Sequence, residues 1–121
     1  MPISRCNCIG FRLMFGLALL IVTWLALTPQ PPQLPAVSFA DKWAHMLAFA
    51  TLALLADTGW PERGYGPLKW GTLLAYGIGI ELLQSQIPNR FFDPADALAN
   101  AAGLILYGLV VLRVLRATGI R

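Results

Sequence analysis

A chain of 121 residues makes one domain at most. Hydrophobic residues are 57% of it and charged residues 12%, about half the charged share of a soluble domain, so with a mean hydropathy of +0.63 the composition points to a membrane protein. The net charge of +3 comes from basic residues that stand singly rather than in clusters, which excludes a nucleic-acid partner.

The first apolar run, "FRLMFGLALLIVTWLALT" at 11–28, spans ~27 Å as a helix, close to the hydrocarbon thickness of a bilayer. Arg5 and Arg12 give its front the look of a signal peptide, but Pro29 follows the small-residue site Ala26-Leu27-Thr28, so an uncleaved anchor is expected. Cys6 and Cys8 are too few for a metal site and are expected as reduced, unpaired thiols. The proline-rich "PQPPQLP" that follows cannot continue a helix.

A second run, 41–57, is short for a span and is expected to sit partly sunk from the outer surface. "TGWPERGYGP" is a loop. The third run, 68–87, is interrupted by Glu81 and by Gln84, Ser85 and Gln86, and Pro88 closes it. The fourth, 94–115, opens on Asp93-Pro94, an aspartate N-cap before a proline at the first helical position. Asp96 suits the helix N-terminus, and Arg113 and Arg116 suit the C-terminal end.

Seven basic residues (Arg5, Arg12, Arg63, Lys69, Arg113, Arg116 and Arg121) fall at the chain ends and in the loop between the second and third runs. Only Lys42 and Arg90 fall on the other side, so the ends are expected in the cytoplasm. The predicted fold is all-α: a polytopic membrane protein, a four-helix transmembrane bundle with both termini cytoplasmic. Its membrane domain covers 11–116, flanked by cytoplasmic segments at 1–10 and 117–121.

With that direction, the polar residues within the runs gather on the outer side. Asp41 and His45 share one helix face at i and i+4, and Glu81 and Gln84 share another at i and i+3. Glu81 lies seven residues before Pro88 and Asn100 seven after Asp93, each ~10 Å from its helix end at the helical rise. Asp93, Asp96, Asn100, Gly103 and Tyr107 form one stripe on the fourth helix, longer than capping needs. Gly71, Ala75 and Gly79 on the third helix, and Ala99 and Gly103 on the fourth, are either close-packing faces or merely common membrane residues.

Ionisable groups inside a span are costly and face a partner or a wet cavity. One reading is a folding clasp in which Arg90 or Lys42 neutralises Asp41, Asp93 and Asp96 while Gln84 and Asn100 satisfy the remaining hydrogen bonds. The other is a site for a metal ion or a cationic ligand.

These residues carry a resemblance. "DKWAHMLAFATLALL" and "IELLQSQIPNRFFDPADALANAAG" resemble the VanZ-like family of bacterial membrane proteins. That family's pattern is Asp-Lys-x-x-His with a following Phe, then Glu-x-x-Gln, then an Arg before Asp-x-x-Asp-x-x-x-Asn-x-x-Gly. Here it falls on Asp41, Lys42, His45, Phe49, Glu81, Gln84, Arg90, Asp93, Asp96, Asn100 and Gly103, in order and over about half the chain. The resemblance implies a multi-pass protein of the bacterial cytoplasmic (inner) membrane, in a family named for low-level teicoplanin resistance. It implies a setting in the cell envelope more than a reaction.

Three functions follow as expectations. The first is a non-enzymatic envelope protein whose outward polar cleft binds an envelope lipid headgroup, a cell-wall precursor or a glycopeptide. The second is a metal-assisted intramembrane hydrolase or transferase acting on a lipid phosphate, with His45, Glu81 and Asp96 as candidate catalytic residues. Its candidate metal ligands are Glu81, Asp93 and Asp96. The third is a structural protein whose polar motif only clasps the fold. A non-enzymatic role is favoured. No cofactor is expected, with a divalent metal held open, and the bilayer is the one partner the composition names.

Overall fold

The computed structural model describes residues 5–27, 40–87 and 94–119, with side chains from Cys8 in the first helix and from Lys42 in the second. All regular structure among these residues is helical, with no strand. The helices are α1 Arg5–Leu27, α2 Ala40–Gly59, α3 Pro67–Gln84 and α4 Pro94–Leu106, the last running through a π-helical turn, Tyr107–Val111, into α5 Leu112–Ala117.

Several boundaries differ from the apolar runs. Residues 5–10, expected as a cytoplasmic segment, form the first turns of α1, because nothing in "RCNCIG" interrupts a hydrogen-bond ladder even where hydropathy falls. The second helix has 20 residues, about 30 Å of rise, and so is longer than its run suggested. The third stops at Gln84 rather than 87. There the Gln86 amide donates to Leu83 O and the Ile87 amide to Gln84 O, tightening the chain ahead of Pro88, whose ring disfavours helix in the residue before it. The fourth helix starts at Pro94, where a missing amide hydrogen costs nothing.

α2 is the centre of the packing and lies most extensively against α4, then against α1. Phe49, Leu52, Ala53 and Ala56 of α2 meet Leu73 of α3 and Leu104, Tyr107 and Leu112 of the last helix in one buried cluster. Arg12 in α1 donates to the Gly59 carbonyl at the end of α2, and Gln84 at the end of α3 donates to Ala26 O at the end of α1. With Glu81 near Asp96, these contacts make the four segments alternate in direction. Thr23 and Tyr76 add a 2.5 Å hydrogen bond between α1 and α3.

Cys8–Leu27 and Pro94–Ala117 are long and apolar enough to cross a membrane, with mean hydropathies of 2.1 and 2.0. Only 6% and 28% of those windows are buried, so their apolar surface faces outward rather than into a core. Large apolar side chains are exposed on α2 and α3 as well, among them Trp43, Leu47, Leu82 and Leu83.

The π-helical turn has a visible cause. Tyr65, in the loop after α2, donates to the Leu104 carbonyl at 2.7 Å and packs edge-on against Tyr107, ring centroids 4.9 Å apart. In an α-helix that carbonyl would accept from the amide of residue 108. The Leu112 amide reaches back five residues to Tyr107 O, the signature of a widened turn. Gly108 sits under the Tyr65 ring, where a Cβ would stand 2.9 Å from it.

Burial, and then the nearby Asp57 carboxylate, push the Tyr65 phenol up to about 12. A raised acid pKa means the folded state holds its proton longer. The stabilisation is complete below the unfolded value of about 10 and is lost as pH rises through about 12. Phenolate absorbance followed to high pH in detergent, wild type minus Tyr65→Phe, is expected to place one tyrosine's titration near the upper value. A difference curve centred near 10 contradicts this.

Candidate functional site

The motif residues converge where the N-terminal ends of α2 and α4 meet the C-terminal end of α3. His45, Glu81 and Asp96 each present one ligand-type atom within 4.8 Å of the other two. Glu81 is fully buried, while Asp96 and His45 keep 14% and 23% of their side chains exposed, enough for a ligand to reach them from outside. Asn100, one turn along α4 from Asp96, is buried and accepts from His45 Nδ1 through its Oδ1 at 2.9 Å. An amide oxygen only accepts, so Nδ1 donates that hydrogen bond and Nε2 is the nitrogen left for other partners. Nε2 faces Asp96 Oδ2 at 3.7 Å.

Lys42, at the start of α2, pairs with the other oxygen of Asp96, Nζ to Oδ1 at 2.5 Å. A cavity of about 250 Å³ lies beside this pair, lined by Lys42, Trp43, Met46 and Ala99. The arrangement offers one imidazole, two carboxylates and one ammonium at one end of the bundle. A larger, 470 Å³ groove between α3 and α4, lined by Trp70, Leu74, Ala101 and Ile105 among others, is almost wholly apolar and offers no such chemistry.

Not every predicted site residue joins the cluster. Gln84 spends its amide on Ala26 O and ties α3 to α1. Among the described residues His45, Glu81 and Asp96 stand close enough to share a metal ion, so two of the three predicted ligands, Glu81 and Asp96, come together with the imidazole. Arg90, Asp93 and the side chain of Asp41 lie outside the described residues. Ser85 donates to Leu82 O and closes its own helix. The small-residue faces divide. A Cβ on Gly103 would overlap the Met46 carbonyl oxygen and stand 3.0 Å from the Ala50 nitrogen, so α2 and α4 touch backbone to backbone there, whereas Gly71 and Gly79 meet nothing within 4 Å.

A second polar cluster at the opposite end went unread in the sequence. Lys69 Nζ donates to Asp57 Oδ1 at 2.7 Å and to the carbonyls of Trp60 and Arg63 at 2.8 and 2.7 Å. Tyr107 donates to Asp57 Oδ2 at 2.5 Å, and Asp57 and Tyr107 are both fully buried. The basic-residue balance places Lys69 among loop charges; it instead forms an interior ion pair with Asp57 that closes the α2–α3 connection. Their signal was present: opposite charges flank one loop, and the α4 stripe runs on to Tyr107. These hydrogen bonds tie the end of α2 to the start of α3 and to the last helix.

Set against protein-family models, curated proteins and solved structures, the chain matches none of them.

Proposed function

We propose that the chain is a VanZ-like membrane protein of the bacterial cell envelope, with α1, α2, α3 and the α4–α5 segment crossing the cytoplasmic membrane and both termini in the cytoplasm. The end that holds His45, Glu81 and Asp96 faces outward and binds the polar headgroup of an envelope lipid or lipid-linked cell-wall precursor. Apolar side chains exposed on all four segments support the membrane setting, since a soluble monomer rarely carries so much contiguous apolar surface. The basic residues gathered at the opposite end support the orientation.

One observation carries the binding role: three helices deliver an imidazole, two carboxylates and, through Lys42, an ammonium to one partly open point beside a cavity. The Lys42–Asp96 and His45–Asn100 contacts also hold α2 to α4, so a clasp is the reading to exclude.

Glu81→Gln and Asp96→Asn keep shape and remove charge. Both variants are expected in the membrane at wild-type abundance with loss of an envelope-stress or teicoplanin-tolerance phenotype. Unchanged phenotypes refute the binding role, and lowered abundance with normal activity per molecule identifies a clasp.

A further inference from the structure

We infer that His45, Glu81 and Asp96 bind one divalent transition-metal ion, zinc being the best match, and that this ion holds the phosphate of the headgroup. The metal site stands on geometry and donor chemistry alone; the phosphate half rests on the function proposed above.

Ligand atoms about 2.0–2.2 Å from a tetrahedral zinc stand about 3.4 Å from one another, so a trio within 4.8 Å closes on an ion by roughly 1 Å of side-chain rotation. The donors are one imidazole nitrogen and two carboxylate oxygens. Magnesium and calcium prefer oxygen throughout, whereas a mixed nitrogen–oxygen set suits zinc, manganese or iron(II). Three protein donors leave a fourth position open, the pattern of zinc sites that take up water or substrate.

The surrounding contacts orient the donors. Asn100 accepts the Nδ1 hydrogen bond and turns Nε2 toward Asp96, so a metal would be taken up through Nε2. Lys42 occupies Oδ1 of Asp96 and leaves Oδ2 on the imidazole side. Outer partners of this kind fix ligating imidazoles and carboxylates in metal sites. Charge gives the ion its use. Two carboxylates repel a phosphate, while a divalent ion next to Lys42 makes the same point attract one. The phosphate can belong to a lipid headgroup or to free inorganic phosphate, and the two are separable.

The chain has a single histidine, so the full-length protein is purified in detergent through a tag free of histidine, stripped with chelator and reloaded with zinc. About one zinc per chain is expected by elemental analysis, with a shift of the His45 Nε2 nitrogen resonance while Nδ1 stays protonated. Glu81→Gln and Asp96→Asn are expected to abolish uptake, and Asn100→Ala to weaken it by about tenfold to a hundredfold. Glu62→Gln, an exposed acid in the loop between α2 and α3, leaves uptake unchanged. Sub-stoichiometric zinc in the wild type, or an unshifted His45 resonance, overturns the site whether or not the variants fold.

Calorimetry of stripped and zinc-loaded protein with dihexanoyl phosphatidic acid and with inorganic phosphate tests the second half. Binding of phosphatidic acid by the loaded form alone supports a lipid source, and binding of phosphate alone a free one. Binding by the stripped form overturns the metal's role and leaves the headgroup reading intact. Zinc uptake with no binding of either overturns the phosphate half and leaves the metal site standing.

Discussion

Lys69→Met is expected to destabilise the folded protein by about 3–5 kcal/mol, the usual loss when one partner of a buried ion pair is removed. Lys69 is 8% exposed, and its three close acceptors use all three of its ammonium hydrogens. Methionine fills the space but leaves the carbonyls of Trp60 and Arg63 without that donor and Asp57 without that cation. Denaturant titration in detergent, followed by helical circular dichroism, reads the loss. The double variant Lys69→Met/Asp57→Leu is expected to recover part of it, because the uncompensated carboxylate is gone while the Tyr107 hydroxyl and the Trp60 and Arg63 carbonyls still lack these partners. A single variant within about 1 kcal/mol of wild type contradicts a structural role for this cluster.

The second large effect is expected at Gly103→Ala. The added methyl group would meet the backbone of α2 at Met46 and Ala50, which cannot swing aside as a side chain can. The helices have to separate, at a cost near the upper end of the overpacking range, about 3 kcal/mol. Because Gly103 lies one turn from Asn100, the separation also pulls Asn100 from His45, so the His45 nitrogen resonances should shift in whatever fraction stays folded. Gly71→Ala and Gly79→Ala are the matched controls. With nothing near either position, alanine's better helix propensity should leave them neutral or more stable. A Gly103→Ala protein as stable as these controls removes the close contact from consideration.

The candidate site was largely legible because helical periodicity and depth are readable from spacing. Glu81 and Asn100 were each seven residues from a proline or aspartate boundary, and the structure holds both beside His45. Gln84's own partner was not legible, because the i, i+3 relation gives a face and not the neighbour that covers it; α1 lies there, and Ala26 O takes its hydrogen bond. The Gly71–Ala75–Gly79 repeat stayed open between two readings for the same reason, as a small face invites close packing without saying that another helix arrives. Asp57 and Lys69 were passed over because charges at helix ends ordinarily face solvent.

By itself the sequence determined the helical character of the chain, the two segments apolar enough to cross a membrane, and the set of polar residues placed at one end. Those follow from composition and period, which are local properties. The tertiary structure alone decided which imidazole nitrogen faces the carboxylates, that Lys42 takes Asp96 among the three acids it could have paired with, and that a tyrosine from a loop takes a carbonyl from α4 and widens its helix into a π turn. Each of these depends on a partner far along the chain, 39 residues for Tyr65 and Leu104 and 55 for His45 and Asn100. Spacing along one helix carries no information about such partners, and only packing brings them within reach.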